Sequence, residues 1–213
     1  MTAKYLSILG DSISTYQGVS NDACANRTIG DNPFFYREPF PLEKTYWHRV
    51  CKALGLSLCV NNSWSGGNLT GRDDPFSGVC RAHHLTREDG TRPDLILVFM
   101  GINDLGRNVP TERFAADYEK TLAIIASEHP TASVCCVNLP DRDPVLKPRA
   151  IAFNRAIQTA AKAAGDRFCV ADLFSSPLNN DFYYNNTLDG LHPDEDGMRS
   201  IAEVILQALP RPA

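Results

Sequence analysis

Ser12, Asp189 and His192 are the residues of this chain whose types and spacing make one chemical unit. Ser12 follows Ile8-Leu9-Gly10-Asp11 at the mouth of a predicted first strand, where a tight turn exposes a hydroxyl. Asp189 and His192 stand three apart just ahead of the last predicted helix, so one short loop presents both side chains. A serine hydroxyl is a weak nucleophile until an imidazole takes its proton, and a carboxylate must orient that imidazole. Acid, base and nucleophile are all present. The chemistry they predict is attack by an activated serine.

Apolar runs define the elements that must position these groups. Tyr5–Leu9, Leu56–Val60, Leu95–Met100, Ser133–Asn138 and Phe168–Ala171 read as strands. Helical spacing runs over Leu42–Leu54, from a capping Thr111 to about Glu128, from Pro148 in a first turn to Gly165, and from about Asp194 to Leu209. Strands alternating with helices predict an α/β fold, with a five-stranded parallel sheet between two helical layers. Ligands of such sheets bind outside the carboxyl ends of the strands. Ser12 follows the first strand, Ser65-Gly66-Gly67 the second, Gly101-Ile102-Asn103-Asp104 the third, and Asp189 to His192 the segment after the fifth. All four polar clusters therefore fall on one edge. Two connections are long, Tyr16–Pro41 and about Leu69–Pro93, and both leave element ends near that edge.

At 213 residues, without a repeat, linker or low-complexity tract, the chain reads as one domain spanning 1–213. A net charge of −4 with no Lys/Arg cluster argues against nucleic acid as a partner. No run approaches the roughly 18 apolar residues of a membrane span. Met1-Thr2-Ala3-Lys4-Tyr5 leads directly into a strand without an apolar signal segment, and the seven cysteines are scattered and odd in number. A cytoplasmic protein with unpaired thiols is the expectation.

The four clusters, in this order, resemble the SGNH hydrolases, also called the GDSL esterase and lipase family. The first block of that family is similar to Gly10-Asp11-Ser12-Ile13, with Ile in place of the usual Leu. The second resembles Val60-Asn61-Asn62-Ser63-Trp64-Ser65-Gly66, the third Gly101-Ile102-Asn103-Asp104, and the fifth Asp189-Gly190-Leu191-His192. Each string alone is common; four in register after successive strands are not. The resemblance implies the three-layer αβα fold, Ser12 as nucleophile, His192 as general base and acid, and Asp189 as its orienting group. It further implies an oxyanion hole made of the Ser12 and Gly66 N–H groups and the Asn103 side-chain amide, with no metal and no cofactor. Such donors act where negative charge develops on one oxygen.

The other polar residues read as structural. Asp11 and Asp104 are expected to brace loops, and His129 to serve the terminal carbonyls of the helix it ends. His83-His84 lack the carboxylate or Cys partners of a metal site, though they lie in the second long loop. Trp64, Phe34-Phe35-Tyr36-Arg37 and Phe182-Tyr183-Tyr184-Asn185-Asn186 place aromatic faces beside Asn and Arg near the predicted site. Trp64 and Tyr184 are the candidate substrate contacts, and the substrate they favour is a short-chain ester, with a carbohydrate O-acetyl ester as one form. A lysophospholipid or thioester substrate is the alternative within the family. A non-catalytic binding protein on the same fold is the alternative outside it.

Overall fold

The apolar runs form five parallel strands in a computed structural model that describes residues 4–20, 34–141, 143–176 and 186–210. The strands are β1 (Lys4–Gly10), β2 (Leu56–Ser63), β3 (Leu95–Phe99), β4 (Ser133–Val137) and β5 (Phe168–Ala171). Their spatial order is β2-β1-β3-β4-β5, and every neighbouring pair is parallel. All five residues of β3 are buried, as a central strand covered on both faces requires. The helices are α1 (Tyr46–Leu54), α2 (Gly78–Arg81), α3 (Ile102–Gly106), α4 (Thr111–Glu128), α5 (Lys147–Ala164) and α6 (Glu195–Ala208). Helices α1 and α6 pack together over one face of the sheet, and α4 and α5 over the other. No described helix is long and apolar enough to cross a membrane.

The sheet order sets the place of the site. The chain steps from β1 outward to β2, then returns across β1 to β3, so the order reverses between β1 and β3. A crevice forms at such a switch point, outside the carboxyl ends of the two strands. Ser12 follows β1 and Asn103 lies in α3 just after β3, so the two flank that crevice. One irregularity aligns the ends. Between Leu6 and Ser7 the β1–β2 register slips by one residue of β2, and beyond it Gly10 stands opposite Ser63.

Several element ends differ from those predicted. The helix expected over Leu42–Leu54 begins only at Tyr46, because Leu42–Lys44 forms a separate 3-10 turn and Thr45 is extended. Thr111 does not cap α4; Pro110 holds that position and Thr111 is the first helical residue. His129 does not serve the carbonyls at the end of α4 either. Arg167 takes the Ala126, His129 and Ala132 carbonyls at 3.1, 3.0 and 2.7 Å, and burial holds the His129 ring below its ordinary pKa. The second long connection contains α2, and the Gly-x-Asn-Asp block opens α3. Asp194 does cap α6, accepting from the Asp196 and Gly197 N–H groups. The six described cysteines are free thiols, and Cys24 lies outside the described residues.

Gly101 makes the turn from β3 into α3. Its φ of 121° is one that side-chain-bearing residues rarely adopt, and a Cβ there would lie 2.8 Å from the Phe114 ring. Gly101→Ala is therefore expected to lower unfolding stability by about 1–3 kcal/mol through backbone strain alone. Urea denaturation monitored by circular dichroism measures this, and a variant as stable as the wild type contradicts it.

Candidate active site

Ser12 begins a short 3-10 turn, Ser12–Ser14, directly beyond β1. Asp11 caps the turn, its carboxylate accepting the Ile13 N–H at 3.0 Å. Gly10 is required on packing grounds, because a Cβ there would meet Ser14 and the Ser63 hydroxyl at 2.5–2.6 Å. The turn is tied down on both sides. Asn61 Nδ2 donates to the Ser14 carbonyl at 2.8 Å, and the Ser14 and Tyr46 hydroxyls are hydrogen-bonded at 2.7 Å.

Asp189 and His192 reach this turn from the far end of the sequence. The loop before α6 folds back on itself: the Leu188 N–H donates to the His192 carbonyl at 2.7 Å, and Thr187 bridges to Pro193. Asp189 Oδ1 accepts the His192 and Leu191 N–H groups at 2.8 and 3.0 Å, while its Oδ2 lies 2.8 Å from His192 Nδ1. On the other side of the ring, Nε2 is 2.8 Å from Ser12 Oγ. Burial pushes the Asp189 carboxyl up, but the His192 and Leu191 N–H bonds and the imidazole outweigh it and leave the group below its ordinary pKa. Asp189 is thus an anion aimed at Nδ1, and Nε2 faces the serine hydroxyl.

The second and third sequence blocks meet beside Ser12. Asn103 Nδ2 donates to the Gly67 carbonyl at 3.0 Å, which orients the amide and leaves its second N–H for another acceptor. Arg107 Nη1 donates to the Gly66 carbonyl at 2.7 Å and also bonds Asn68. Asp104 accepts the Leu69 N–H, the Thr70 N–H and the Thr70 hydroxyl at 2.7, 3.0 and 2.8 Å, fixing the loop after β2 to α3. The N–H groups of Ser12 and Gly66 make no hydrogen bond among the described residues. Three donors with spare capacity are therefore carried by the segments that follow β1, β2 and β3.

Trp64 follows β2, with its N–H on the Gly10 carbonyl at 3.3 Å and its half-buried ring 4.8 Å from that of Phe76. Tyr184 lies outside the described residues, as do Phe182, Tyr183 and Asn185. Phe34 and Tyr36 are buried in packing and offer no open face. The more telling omission from the sequence reading is Arg81, which is 2% exposed. Its guanidinium donates to the Gly10, Asn62 and Phe76 carbonyls at 2.9, 2.5 and 2.8 Å, clamping the ends of β1 and β2. An arginine in a predicted loop carries no sequence mark of such a role. His83 pairs with Glu128 at 2.5 Å, away from the serine.

The model of the GDSL-like lipase/acylhydrolase family matches residues 8–200. No curated protein sequence matches significantly. Among solved structures, a GDSL-like protein of Bacteroides ovatus superposes with a TM-score of 0.73 at 21% identity, over 97% of this chain and 98% of that one. A GDSL-like protein of Bacteroides uniformis gives 0.69 at 23% identity, over 96% and 94%. A carbohydrate esterase family 2 enzyme of Corynascus thermopiles, solved with its carbohydrate-binding domain, gives 0.68 at 19% identity, over 97% of this chain and 66% of that one. At these identities the likeness establishes the fold.

The electrostatics of Asp11 give a pH test. Burial raises its pKa to about 7, against the lowering effects of the Ile13 N–H and Arg81. An unfolded Asp titrates near 3.9. The folded state thus holds the proton more tightly, a contribution to stability fully present below about pH 4 and lost as pH rises to about 7. Asp11→Asn keeps an acceptor for the Ile13 N–H and cannot ionise. The unfolding free energy of the variant should rise relative to wild type between pH 4 and 7, then level off. A difference independent of pH contradicts the assignment.

Proposed function

The chain belongs to the GDSL-like lipase/acylhydrolase family, and we propose that it is a serine esterase for short-chain carboxylic esters, carbohydrate O-acetyl esters foremost. The observation that carries this reading is the unbroken chain Asp189–His192–Ser12, with 2.8 Å at both links of the imidazole. Ser12 Oγ attacks the ester carbonyl while His192 Nε2 takes its proton. The Ser12 and Gly66 N–H groups and Asn103 Nδ2 then hold the oxyanion of the tetrahedral intermediate. His192 returns the proton to the departing alcohol as the C–O bond breaks, leaving an acyl group on Ser12. Water, deprotonated by the same nitrogen, releases the acid and restores the hydroxyl. Asp189 stabilises the imidazolium in both halves without taking up the proton. Every group on this route is supplied by the chain itself.

The substrate reading rests on the walls of the site. Trp64, whose N–H reaches the Gly10 carbonyl two residues before Ser12, and Asn103, which holds the Gly67 carbonyl, supply one aromatic and one polar group on this edge of the sheet. A separate cavity of about 550 Å³ lies along β2, lined by Asn61, Phe76, His83, Thr86, Arg87 and Glu88, and the catalytic residues do not line it. The fold is shared with a carbohydrate esterase and equally with GDSL-like lipases, so the acyl preference decides between them.

Hydrolysis of nitrophenyl esters tests the reading directly. Acetyl esters should be cleaved with higher kcat/KM than octanoyl esters below any micellar concentration, because misplacing the reacting carbonyl by about 1 Å costs roughly 10²-fold. Faster cleavage of octanoyl esters makes a lipid or thioester the substrate instead, and absence of hydrolysis removes the esterase reading.

Asn103→Ala should lower kcat by about 10²–10³-fold with little change in KM, since its donor acts mainly once the oxyanion forms. Steady-state kinetics on the acetyl ester decides it. A raised KM with wild-type kcat makes Asn103 a ground-state binding residue.

A further inference from the structure

The phenyl ring of Phe35 lies flat on the imidazole of His192, with centroids 3.4 Å apart and planes 10° from parallel. Nothing in the triad chemistry requires this contact, and it is built rather than incidental. Phe35 is anchored towards the nucleophile: its N–H donates to Thr15 Oγ1 at 2.8 Å, and that hydroxyl donates to the Ser12 carbonyl at 2.9 Å. The next residue is anchored towards the base. Tyr36 is 1% exposed, and its hydroxyl donates to the Pro193 carbonyl at 2.7 Å, one residue beyond His192. The Tyr36 carbonyl accepts the Gln17 N–H at 2.9 Å, and Tyr36 bridges to Tyr16. Two consecutive residues thus span the gap between the serine turn and the histidine loop.

We propose that Phe35 and Tyr36 form an aromatic strap that positions His192 over Ser12, resting on the reading of these two as base and nucleophile. The hydrogen bonds to Asp189 and Ser12 lie in the imidazole plane and restrain the ring within it. Out-of-plane tilt is poorly restrained by bonds made at the ring edge. A second ring stacked on the face blocks that motion by van der Waals contact over the whole imidazole. Phe35 also excludes water from that face, so fewer competitors reach Nε2. Tyr36 fixes the height of the histidine loop above the serine turn, so the two bear on different degrees of freedom. Both are positioning residues that act through His192. The same commitment explains why this segment offers no open aromatic face for a sugar.

Four variants and one spectroscopic signature test the strap. Phe35→Ala removes the ring, Phe35→Leu keeps apolar volume without a flat face, Phe35→Tyr keeps the face, and Tyr36→Phe removes only the bond to Pro193. With an acetyl nitrophenyl ester, Phe35→Ala and Phe35→Leu should lower kcat by about 10- to 100-fold, within the range set by sub-ångström to 1 Å misplacement, with KM changed less than twofold. Phe35→Tyr should restore kcat to within about twofold, and Tyr36→Phe should lower it by a smaller factor than Phe35→Leu. In NMR spectra the His192 ring protons should lie upfield in the wild type and in Phe35→Tyr, and move downfield in Phe35→Leu, which keeps the inference testable should the alanine variant fail to fold. A wild-type kcat in Phe35→Leu with unmoved His192 resonances overturns the strap, as does an effect confined to KM. The parent reading fails differently: wild-type turnover in His192→Ala removes His192 as the base, whatever Phe35 does.

Discussion

One 2.8 Å hydrogen bond joins Ser12 and His192 across 180 residues of sequence, and much of this fold maintains it. Each end hangs on a different part of the molecule. The serine rides on the carboxyl end of β1, a central strand paired on both sides. The histidine rides on a short loop whose far end is fixed by the capped start of α6. An error of a few tenths of an ångström in either support appears directly at the reacting atoms. The contacts near the site accordingly run between elements: Arg81 from α2 to the ends of β1 and β2, Asp104 from α3 to the loop after β2, and Tyr36 to the loop before α6.

These supports carry an electrostatic cost. Asp11 and Arg81 are buried almost completely beside the serine turn, where a charge loses its hydration. Arg81 offsets this by spending its donors on main-chain carbonyls, which carry partial negative charge and do not move. Asp11 is less well compensated, with one described main-chain donor two residues away, and its pKa rises accordingly. Asp104 shows the other solution: burial raises its pKa, and three hydrogen bonds from Leu69 and Thr70 work against the rise. Buried charge here fixes the positions of loops, which uncharged packing at the end of a sheet does less sharply.

How much of this was legible in the sequence follows from the range of the interactions. Strand positions were read from local runs because a parallel strand covered on both faces must be apolar throughout, as Leu95–Phe99 is. The last helix was legible because the apolar spacing of Ile201, Val204, Ile205 and Leu209 is a matter of neighbouring turns. The four polar clusters could be placed on one edge because topology alone puts strand ends there. Ser12, His192 and Asp189 do meet in the structure, as do the segments of Gly66 and Asn103. The start of α1 was misplaced because Thr45 is extended between two helical turns, which apolar spacing does not register. The role of Arg81 went unread, and Phe35 was read as a face for substrate and not as a partner of His192, for a stronger reason: their partners lie 71 and 157 positions away, and only the finished fold brings them together.

The central claim is that His192 activates Ser12 for covalent attack. Its most direct measurement is the intact mass and peptide map of the protein after brief exposure to a fluorophosphonate, compared with His192→Ala. The account predicts one adduct per chain on Ser12 in the wild type and none above background in the variant over the same time. Labelling of another residue, or equal labelling of Ser12 with and without the imidazole, would contradict it.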